Sequence, residues 1–399
     1  MPERELTSTE ALFNIMSTLH TLGFRAEARY TTPSRLVATA ELFDSDNHFI
    51  ESGAGKGPDA LIGALAETIE HASSFLAPNH ESTWHSTDSI ASQKAAKYDG
   101  FFTRLPYSDE PIDCFTLTSL DKKEHLIAPS ALLCPAAARS NSNDTRSTMQ
   151  FLARYSSNSG IAFGCTENEA LLHGIQEIIE RHVLSLFFMA ICGIGPKMDL
   201  YKPSTSLLNK ALLNDPSALE PANKLQIIII KDVLSVYFAV AFPKAGPGDQ
   251  PLSPIGSGCS MDICTAIQRA VTEQFQSESL YDVFEDSMDR KTVKLLSRSK
   301  ILKSLIDLAP VRGLNLPELE CPPHDYNETV PAQLDTLHKA TSKSDKKIFY
   351  RTVARFPNNS IVTQAYIPGL ERFNIIRNGQ LVVPQHVLLS SLNQPPIKQ

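Results

Sequence analysis

Apolar positions along the chain follow helical spacing in some segments and strand spacing in others. They recur every three to four residues over 9–22, 59–75 and 167–191, a period typical of helices that bury one face or more. Other runs are rich in β-branched and aromatic residues, which favours strands. These predicted strands are 24–31, 36–43, 113–120, 124–133, 224–231, 233–242, 347–356 and 361–367, with a hairpin formed by 224–231 and 233–242. The pattern therefore predicts an α/β (α+β) fold.

Glycine, proline and polar residues separate these elements. They predict a turn over 47–58 and exposed loops over 139–149 and 244–258, and a helix over 262–286 follows the last loop. No stretch has the composition of a clean linker. We therefore expect one compact unit, in which residues 1–50 form a helix–strand lead-in and residues 51–399 the main domain.

Composition and charge narrow the class of protein. Apolar residues make up 42% and charged residues 20% of the 399, which is ordinary for a folded soluble protein. The net charge of −7 argues against a general nucleic-acid-binding protein, which normally carries a basic patch. The polar N-terminus lacks the features of a secretion signal, and the apolar runs fall short of the ~18 residues of a membrane helix. Seven cysteines without paired spacing indicate reduced thiols, so we expect a cytoplasmic protein that is not bound to a membrane.

A glycine-rich segment precedes a glutamate-bearing helix three times in the chain. In each helix, two carboxylate or amide side chains stand three residues apart, so both lie on one helix face. The three segments are Gly53–Gly57 with Glu67 and Glu70, Gly160–Gly164 with Glu169, Glu177, Glu180 and Arg181, and Gly256–Gly258 with Arg269, Glu273 and Gln276.

The remaining positions of these helices are apolar or small, so we expect the glutamates near the core. Two like charges about 4 Å apart repel by roughly 4 kcal/mol at an effective dielectric of 20. Converging carboxylates therefore take up protons or bind cations, and Mg²⁺ commonly bridges carboxylates and phosphates. Lys56, Arg181 and Arg269 would offset phosphate charge, and the glycine turns would present backbone N–H groups to phosphate oxygens. The pattern predicts a site for metal and phosphate.

A simpler interpretation applies to any single pair of this kind. One Glu-x-x-Glu pair on a helix is usually a solvated face, but three such pairs on apolar helices favour a shared site. Lys56 is not the lysine of a Walker A loop, because that loop requires glycine at position 50 and serine or threonine at 57. Ile50 and Gly57 stand there instead.

At these three segments the chain resembles the YcaO family, over about residues 9–371. The matching motifs are the GKG turn at 55–57 followed by SxxExxER at 64–71, then [ST]NG at 158–160 with Gly164, EA at 169–170 and ExxER at 177–181, and RAxTExxQ at 269–276. The chain departs from these motifs at Ala64 in place of serine, His71 in place of arginine, and Cys165 where asparagine is common.

The resemblance implies a YcaO-type fold, with ATP-binding helices packed on β-sheets and residues 51–399 as the ATP-binding catalytic domain. It implies ATP and Mg²⁺ as cofactors, and activation of a backbone amide in a ribosomally synthesised precursor peptide. The implied Mg²⁺ ligands are Glu67, Glu70, Glu177, Glu180 and Glu273. The implied ATP contacts are Lys56, Glu169, Arg181, Arg269 and Gln276.

Three functions stay open at this stage. Cyclodehydration would convert Cys, Ser or Thr to thiazoline or oxazoline rings. Because no leader-binding domain is found in the chain, it would require a leader-binding partner protein, often with a flavin-dependent dehydrogenase, in an oligomer or complex. A sulfur-delivering partner would instead give a thioamide, and a degenerate member would be an ATP-binding scaffold. Many ring-forming members end in a PxPxP tail, whereas this chain has Pro395 and Pro396 within 393–399.

Overall fold

A computed structural model describes residues 3–76, 82–140 and 146–390 of the chain. The C-terminal segment 393–399, with its two prolines, lies outside these residues. Within them, the structure confirms the predicted mixed α/β (α+β) class, because helices and strands interleave throughout and the strands form several sheets.

The N-terminal part forms a three-stranded antiparallel sheet covered by helices. Its elements are α1 (Ser8–Leu22), β1 (Arg25–Tyr30), β2 (Val37–Phe43), β3 (Phe49–Lys56) and α2 (Ala60–Leu76). The turn predicted over 47–58 is wrong, because β3 pairs with β2 from Phe49 to Lys56. The boundary predicted after residue 50 falls inside β3, so we propose that the lead-in belongs to the same folding unit.

The next part contains the long central helix. Its elements are β4 (Ser82–His85), α3 (Thr87–Ala91), α4 (Gly100–Thr103), β5 (Ile112–Ser119), β6 (His125–Pro129), α5 (Ser130–Leu133), α6 (Pro135–Ser140), α7 (Ser147–Tyr155), β7 (Ile161–Gly164) and α8 (Glu167–Ile191). Helix α8 has the predicted bounds, and the Thr166 side chain caps its N-terminus. The strand predicted to reach residue 133 ends at Pro129, and the predicted loop 139–149 overlaps α6 and α7.

A second antiparallel sheet follows, in the order β11-β10-β9. The elements here are β8 (Lys202–Pro203), α9 (Thr205–Ala211), α10 (Pro216–Ala222), β9 (Leu225–Val233), β10 (Val236–Pro243), β11 (Gly256–Ser260), α11 (Ile263–Ser279) and α12 (Val283–Leu296). The β9–β10 hairpin is confirmed. The predicted loop 244–258 is wrong at its end, where β11 begins. The single helix predicted over 262–286 is two helices, because the Asp282 side chain caps a new start at α12.

The last part completes a six-stranded antiparallel sheet. Its elements are α13 (Ser304–Asp307), β12 (Glu318–Leu319), α14 (Val330–Lys343), β13 (Phe349–Arg355), β14 (Ile361–Tyr366), a 3₁₀ helix (Phe373–Asn378) and α15 (Gln385–Ser390). The sheet order is β4-β5-β13-β14-β7, with β6 beside β5, and β13 and β14 lie where they were predicted. Helix α8 packs on β14 and β7, which places its glutamates beside the sheet edge.

The three glycine segments lie mainly in strands rather than in turns. Strands β3, β7 and β11 each run directly against the helix that follows, α2, α8 and α11. A Cβ at Gly55 would lie 1.8 Å from the carbonyl oxygen of Ala60, and one at Gly256 would lie 2.2 Å from that of Ala270. Only glycine permits so close an approach of strand backbone to helix backbone.

In the described residues, the buried apolar side chains form three clusters. One lies between α1, α2 and the first sheet, one between α11 and the β9–β11 sheet, and the largest surrounds α8 and the six-stranded sheet. Among the helices described, none has both the length and the apolar character required to cross a bilayer.

Candidate functional site

The three strand–helix units converge on one cavity of about 900 Å³. The structure brings all ten residues of the predicted site to its wall. They are Lys56, Glu67, Glu70, Glu169, Glu177, Glu180, Arg181, Arg269, Glu273 and Gln276. Their individual roles stay predictions, but their convergence follows from the fold.

Backbone N–H groups of the glycine strands orient the helix carboxylates. Ala54 N donates to Glu67 at 2.7 Å, and Gly160 N donates to Glu177 at 3.0 Å. Phe163 N donates across to Glu70 of the neighbouring unit at 3.1 Å. At these three positions the N–H groups therefore bond to glutamates, and contact of the glycine segments with phosphate oxygens stays a prediction.

The carboxylates at the centre of the cavity repel one another. Burial, Glu177 and Glu67 raise the pKa of Glu70 well above its ordinary value, although its bond from Phe163 N opposes the rise. Burial also raises the pKa of Glu177, against the opposing effect of Arg181. A divalent cation would relieve this repulsion, so the donor set suits a hard metal ion.

The glutamates alone do not form a closed metal cage. Among the described residues, no three of them have oxygens within 4.8 Å of one another; the group that meets this limit is Asp44, Asp46 and His48 in the turn after β2. Mg²⁺ usually takes one or two carboxylates and completes its shell with phosphate oxygens and water. The cavity therefore fits a Mg²⁺ ion that is shared with a phosphate-bearing ligand.

Basic side chains face these carboxylates. Lys56 forms an ion pair with Glu273, and Arg181 lies 3.8 Å from Glu177 and 3.7 Å from Glu180. Burial alone would raise the pKa of Glu273, but Lys56 and Arg181 hold it below its ordinary value. All three strand–helix units thus contribute charged side chains to the same cavity.

The N-terminal segment also reaches the cavity wall, which the sequence motifs did not predict. The Glu3 carboxylate forms an ion pair with Arg269 and accepts hydrogen bonds from Gln176 Nε2 at 2.9 Å and Ser260 Oγ at 2.6 Å. No motif marks Glu3. A glutamine on the apolar face of α8 was the available signal for Gln176, because buried polar side chains require partners.

Glu169 is held by two backbone groups of the same segment and by one just before α8. Its carboxylate accepts from Glu5 N at 2.6 Å, Leu6 N at 3.2 Å and Cys165 N at 3.0 Å. The nearby His173 also lines the cavity, and burial, followed by Arg269, lowers its pKa to about 4. His173 is therefore a neutral imidazole at physiological pH.

The cavity continues along α8 beyond the charged residues. Glu177, Arg181, Leu184 and Phe188 all line it, at intervals that place them on one helix face. With a rise of 1.5 Å per residue, the line from Glu177 to Phe188 is about 16 Å long. The cavity therefore extends from the clustered glutamates to a second end, where Leu184 and Phe188 contribute apolar side chains.

A charged cavity with opposed carboxylates and cations defines a protein that binds a metal together with phosphates. The chain belongs to the YcaO family: the family described as YcaO cyclodehydratase, ATP- and Mg²⁺-binding, matches residues 53–371. ATP and Mg²⁺ are therefore its cofactors. No curated protein matches the chain at a significant level of similarity.

Solved structures share the fold at low sequence identity. A heterocyclase in complex with substrate and cofactor is 17% identical with a TM-score of 0.63, and the match covers 96% of this chain but 56% of that one. A YcaO protein from Methanopyrus kandleri, bound with AMPPCP and Mg²⁺, is 15% identical with a TM-score of 0.63 over 95% of both chains. A chain of the Escherichia coli microcin synthetase McbBCD complex is 14% identical with a TM-score of 0.56 over 86% of both.

Proposed function

We propose that this protein uses ATP and Mg²⁺ to activate a backbone amide in a ribosomally synthesised precursor peptide and so forms thiazoline or oxazoline rings by cyclodehydration. The observation that carries the proposal is the convergence of all ten motif residues on one cavity in a chain of the YcaO family. At about 900 Å³, this cavity is at the upper end of the range for ligand sites.

In this reaction the protein has to position the reactants and neutralise charge. A Cys, Ser or Thr side chain loses its proton to water and attacks the preceding carbonyl carbon, and the resulting oxyanion attacks the γ-phosphorus of ATP and displaces ADP. The amide nitrogen then expels phosphate as the C=N bond forms and loses its own proton to water, so the carbonyl oxygen leaves on phosphate. Lys56, Arg181 and Arg269 would neutralise phosphate charge during this transfer.

We propose that the five candidate metal ligands, Glu67, Glu70, Glu177, Glu180 and Glu273, would hold Mg²⁺. When bound, the metal would neutralise charge between phosphate oxygens. Gln276, whose Nε2 donates to Ala54 O at 3.5 Å, would turn its amide towards ATP. We propose that Glu169, with its three backbone donors, holds the N-terminal segment beside the nucleotide.

The peptide would be presented by other proteins. One structural relative is a heterocyclase with substrate, and another is part of a synthetase complex. The chain spans 56% of the length of that heterocyclase. By analogy with the synthetase complex, we propose that a leader-binding partner protein delivers the precursor peptide and that a flavin-dependent dehydrogenase would act on the azoline product.

The test is incubation of the protein with a partner, Mg²⁺, ATP and a Cys/Ser-rich precursor. Release of phosphate with the loss of one water mass per ring would support cyclodehydration. A gain in mass from exchange of oxygen for sulfur, in the presence of a sulfur donor, would show thioamide formation instead. If product formation in this mixture does not change when Glu177→Gln and Glu273→Gln replace the wild type, the protein is a scaffold. Exposed Glu220→Gln is the matched control.

A further inference from the structure

A buried arginine, Arg377, lines the cavity beside Phe188. Arg377 is only 7% exposed, and its Nη2 donates to the Ser253 carbonyl oxygen at 2.6 Å. Its Nε has no hydrogen-bond partner among the residues that the structure describes. A guanidinium carries five N–H donors, so most of its hydrogen-bonding capacity is unused by the described part of the chain.

The environment of Arg377 makes its unused hydrogen-bond donors unusual. Burial lowers its pKa to about 10, with Asp289 opposing that effect, and its Cζ lies 5.6 Å from the centre of the Phe188 ring. Apart from the Ser253 carbonyl, this buried cation has no anionic partner in contact among the described residues, and buried charges are normally paired because leaving one unpaired is destabilising. Arg377, Asp289 and Phe188 all line the same cavity, so the acceptor would arrive through that space.

The distance of Arg377 from the glutamates corresponds to a short stretch of extended peptide. Phe188 lies eight residues after Glu180 on α8, which corresponds to about 12 Å along the helix. An extended peptide advances about 3.3–3.6 Å per residue, so three to four residues span this distance. A group bound at Arg377 would therefore belong to a substrate residue three to four positions from an amide placed beside Glu180.

The chemistry around Arg377 identifies the group. Its N–H donors require an oxygen acceptor, whereas the Asp289 carboxylate, which accepts from Tyr281 Oη at 3.4 Å, requires an N–H donor. A free carboxylate would satisfy Arg377 but would meet the negative charge of Asp289. We infer that Arg377 and Asp289 form a peptide-binding subsite that holds a neutral backbone amide, Arg377 at its carbonyl and Asp289 at its N–H. This subsite rests on the proposed peptide substrate.

The first test observes the arginine directly. The full chain is labelled with ¹⁵N at arginine, and the Arg377 Nε–H signal is assigned by its loss in Arg377→Lys. The probes are the capped peptide acetyl-Gly-Ser-Cys-Gly-Ser-Gly-amide and the same peptide with a free C-terminal carboxylate, each with Mg²⁺ and AMPPCP. We expect the capped peptide to shift this signal and to bind more tightly than the free acid.

The second test uses variants with a matched control. Arg377→Met should weaken binding of the capped peptide by roughly tenfold or more, because hydrogen bonds from charged donors are the strong ones. Asp289→Asn should reduce or reverse the preference for the capped over the free-acid peptide. Asp286→Asn is the control, because Asp286 lies on the same helix but pairs with Arg290. The affinity for AMPPCP should stay unchanged in all three.

Several results would overturn the subsite. They are an unmoved Arg377 signal at millimolar capped peptide, tighter binding of the free acid by the wild type, and equal effects of Asp289→Asn and Asp286→Asn. If Arg377→Met does not fold, the change of preference in Asp289→Asn decides alone. Peptide binding without phosphate release would refute the proposed function and leave the subsite standing. Phosphate release with peptide binding indifferent to Asp289 would refute the subsite alone.

Discussion

Glu371 gives the sharpest test of the electrostatics derived from this fold. Glu371 is 9% exposed, and its carboxylate accepts from Gln385 N, with its two oxygens at 2.9 and 3.1 Å. Burial raises its pKa from 4.5 to about 7, with Asp99 adding to the rise and Gln385 and Lys346 opposing it. The folded protein therefore holds a proton on Glu371 that the unfolded chain releases at lower pH.

The sign of the pH dependence follows from this difference. Below about pH 4.5 both states are protonated at Glu371, so the side chain has no titration effect on stability. Between there and about pH 7 the unfolded chain ionises first, and the free energy of unfolding falls. A rise in pKa from 4.5 to about 7 corresponds to about 3 kcal/mol, since each unit is worth about 1.4 kcal/mol.

The perturbation is Glu371→Gln, which keeps the shape and an acceptor oxygen for Gln385 N but does not titrate. We expect the free energy of unfolding of the variant, minus that of the wild type, to rise by about 3 kcal/mol from pH 4.5 to pH 7.5. Urea unfolding followed by circular dichroism measures this difference, and other titrating groups cancel in it. A difference that does not change with pH, or one shared by exposed Glu220→Gln, would refute the reasoning.

Three further predictions concern the cavity. Glu70→Gln removes a carboxylate that repels Glu177, so the melting midpoint without ligand should rise at pH 8. The extra stabilisation by Mg²⁺ and ATP should fall, and a wild-type response to Mg²⁺ and ATP in a thermal-shift assay would contradict the prediction. Glu3→Gln frees Arg269 from an anionic partner, so ATP should bind more tightly in calorimetry, and weaker binding would show that Glu3 assists the nucleotide. Gly256→Ala places a Cβ 2.2 Å from a helix carbonyl oxygen, so the free energy of unfolding should fall by about 1–3 kcal/mol; an unchanged urea midpoint would mean that the strand can move away.

The sequence predicted elements well where apolar spacing dominates. Helix α8 has its predicted bounds because its apolar positions continue without interruption to Ile191 and Thr166 provides a cap. The glycine strands were missed because a glycine in sequence signals a turn, and only the packed structure shows that β3 and β11 lie against helix backbone. Helices α11 and α12 were merged because the break at 280–282 has no glycine or proline to mark it.

The site residues could be predicted where they belong to the repeated glycine segments and the helices that follow them. Three similar segments placed ten residues at one cavity, and the carboxylate spacing alone indicated metal and phosphate. Glu3 and Arg377 could not be found in this way, because each is a single charged residue whose burial depends on distant chain segments. Arg377, for example, reaches the Ser253 carbonyl oxygen across more than a hundred residues of sequence.

The direct contact between glycine strand and helix has a consequence for how this protein can evolve. Where side chains separate two elements, a substitution is absorbed by repacking; at Gly55 and Gly256 no such layer exists. The end of the cavity lined by the glycine strands is therefore intolerant of mutation, while the end lined by Leu184, Phe188 and Leu252 carries exchangeable apolar side chains. For the proposed peptide substrate, changes in preference should accumulate at that second end, and selection for new substrates should leave the glycine strands untouched.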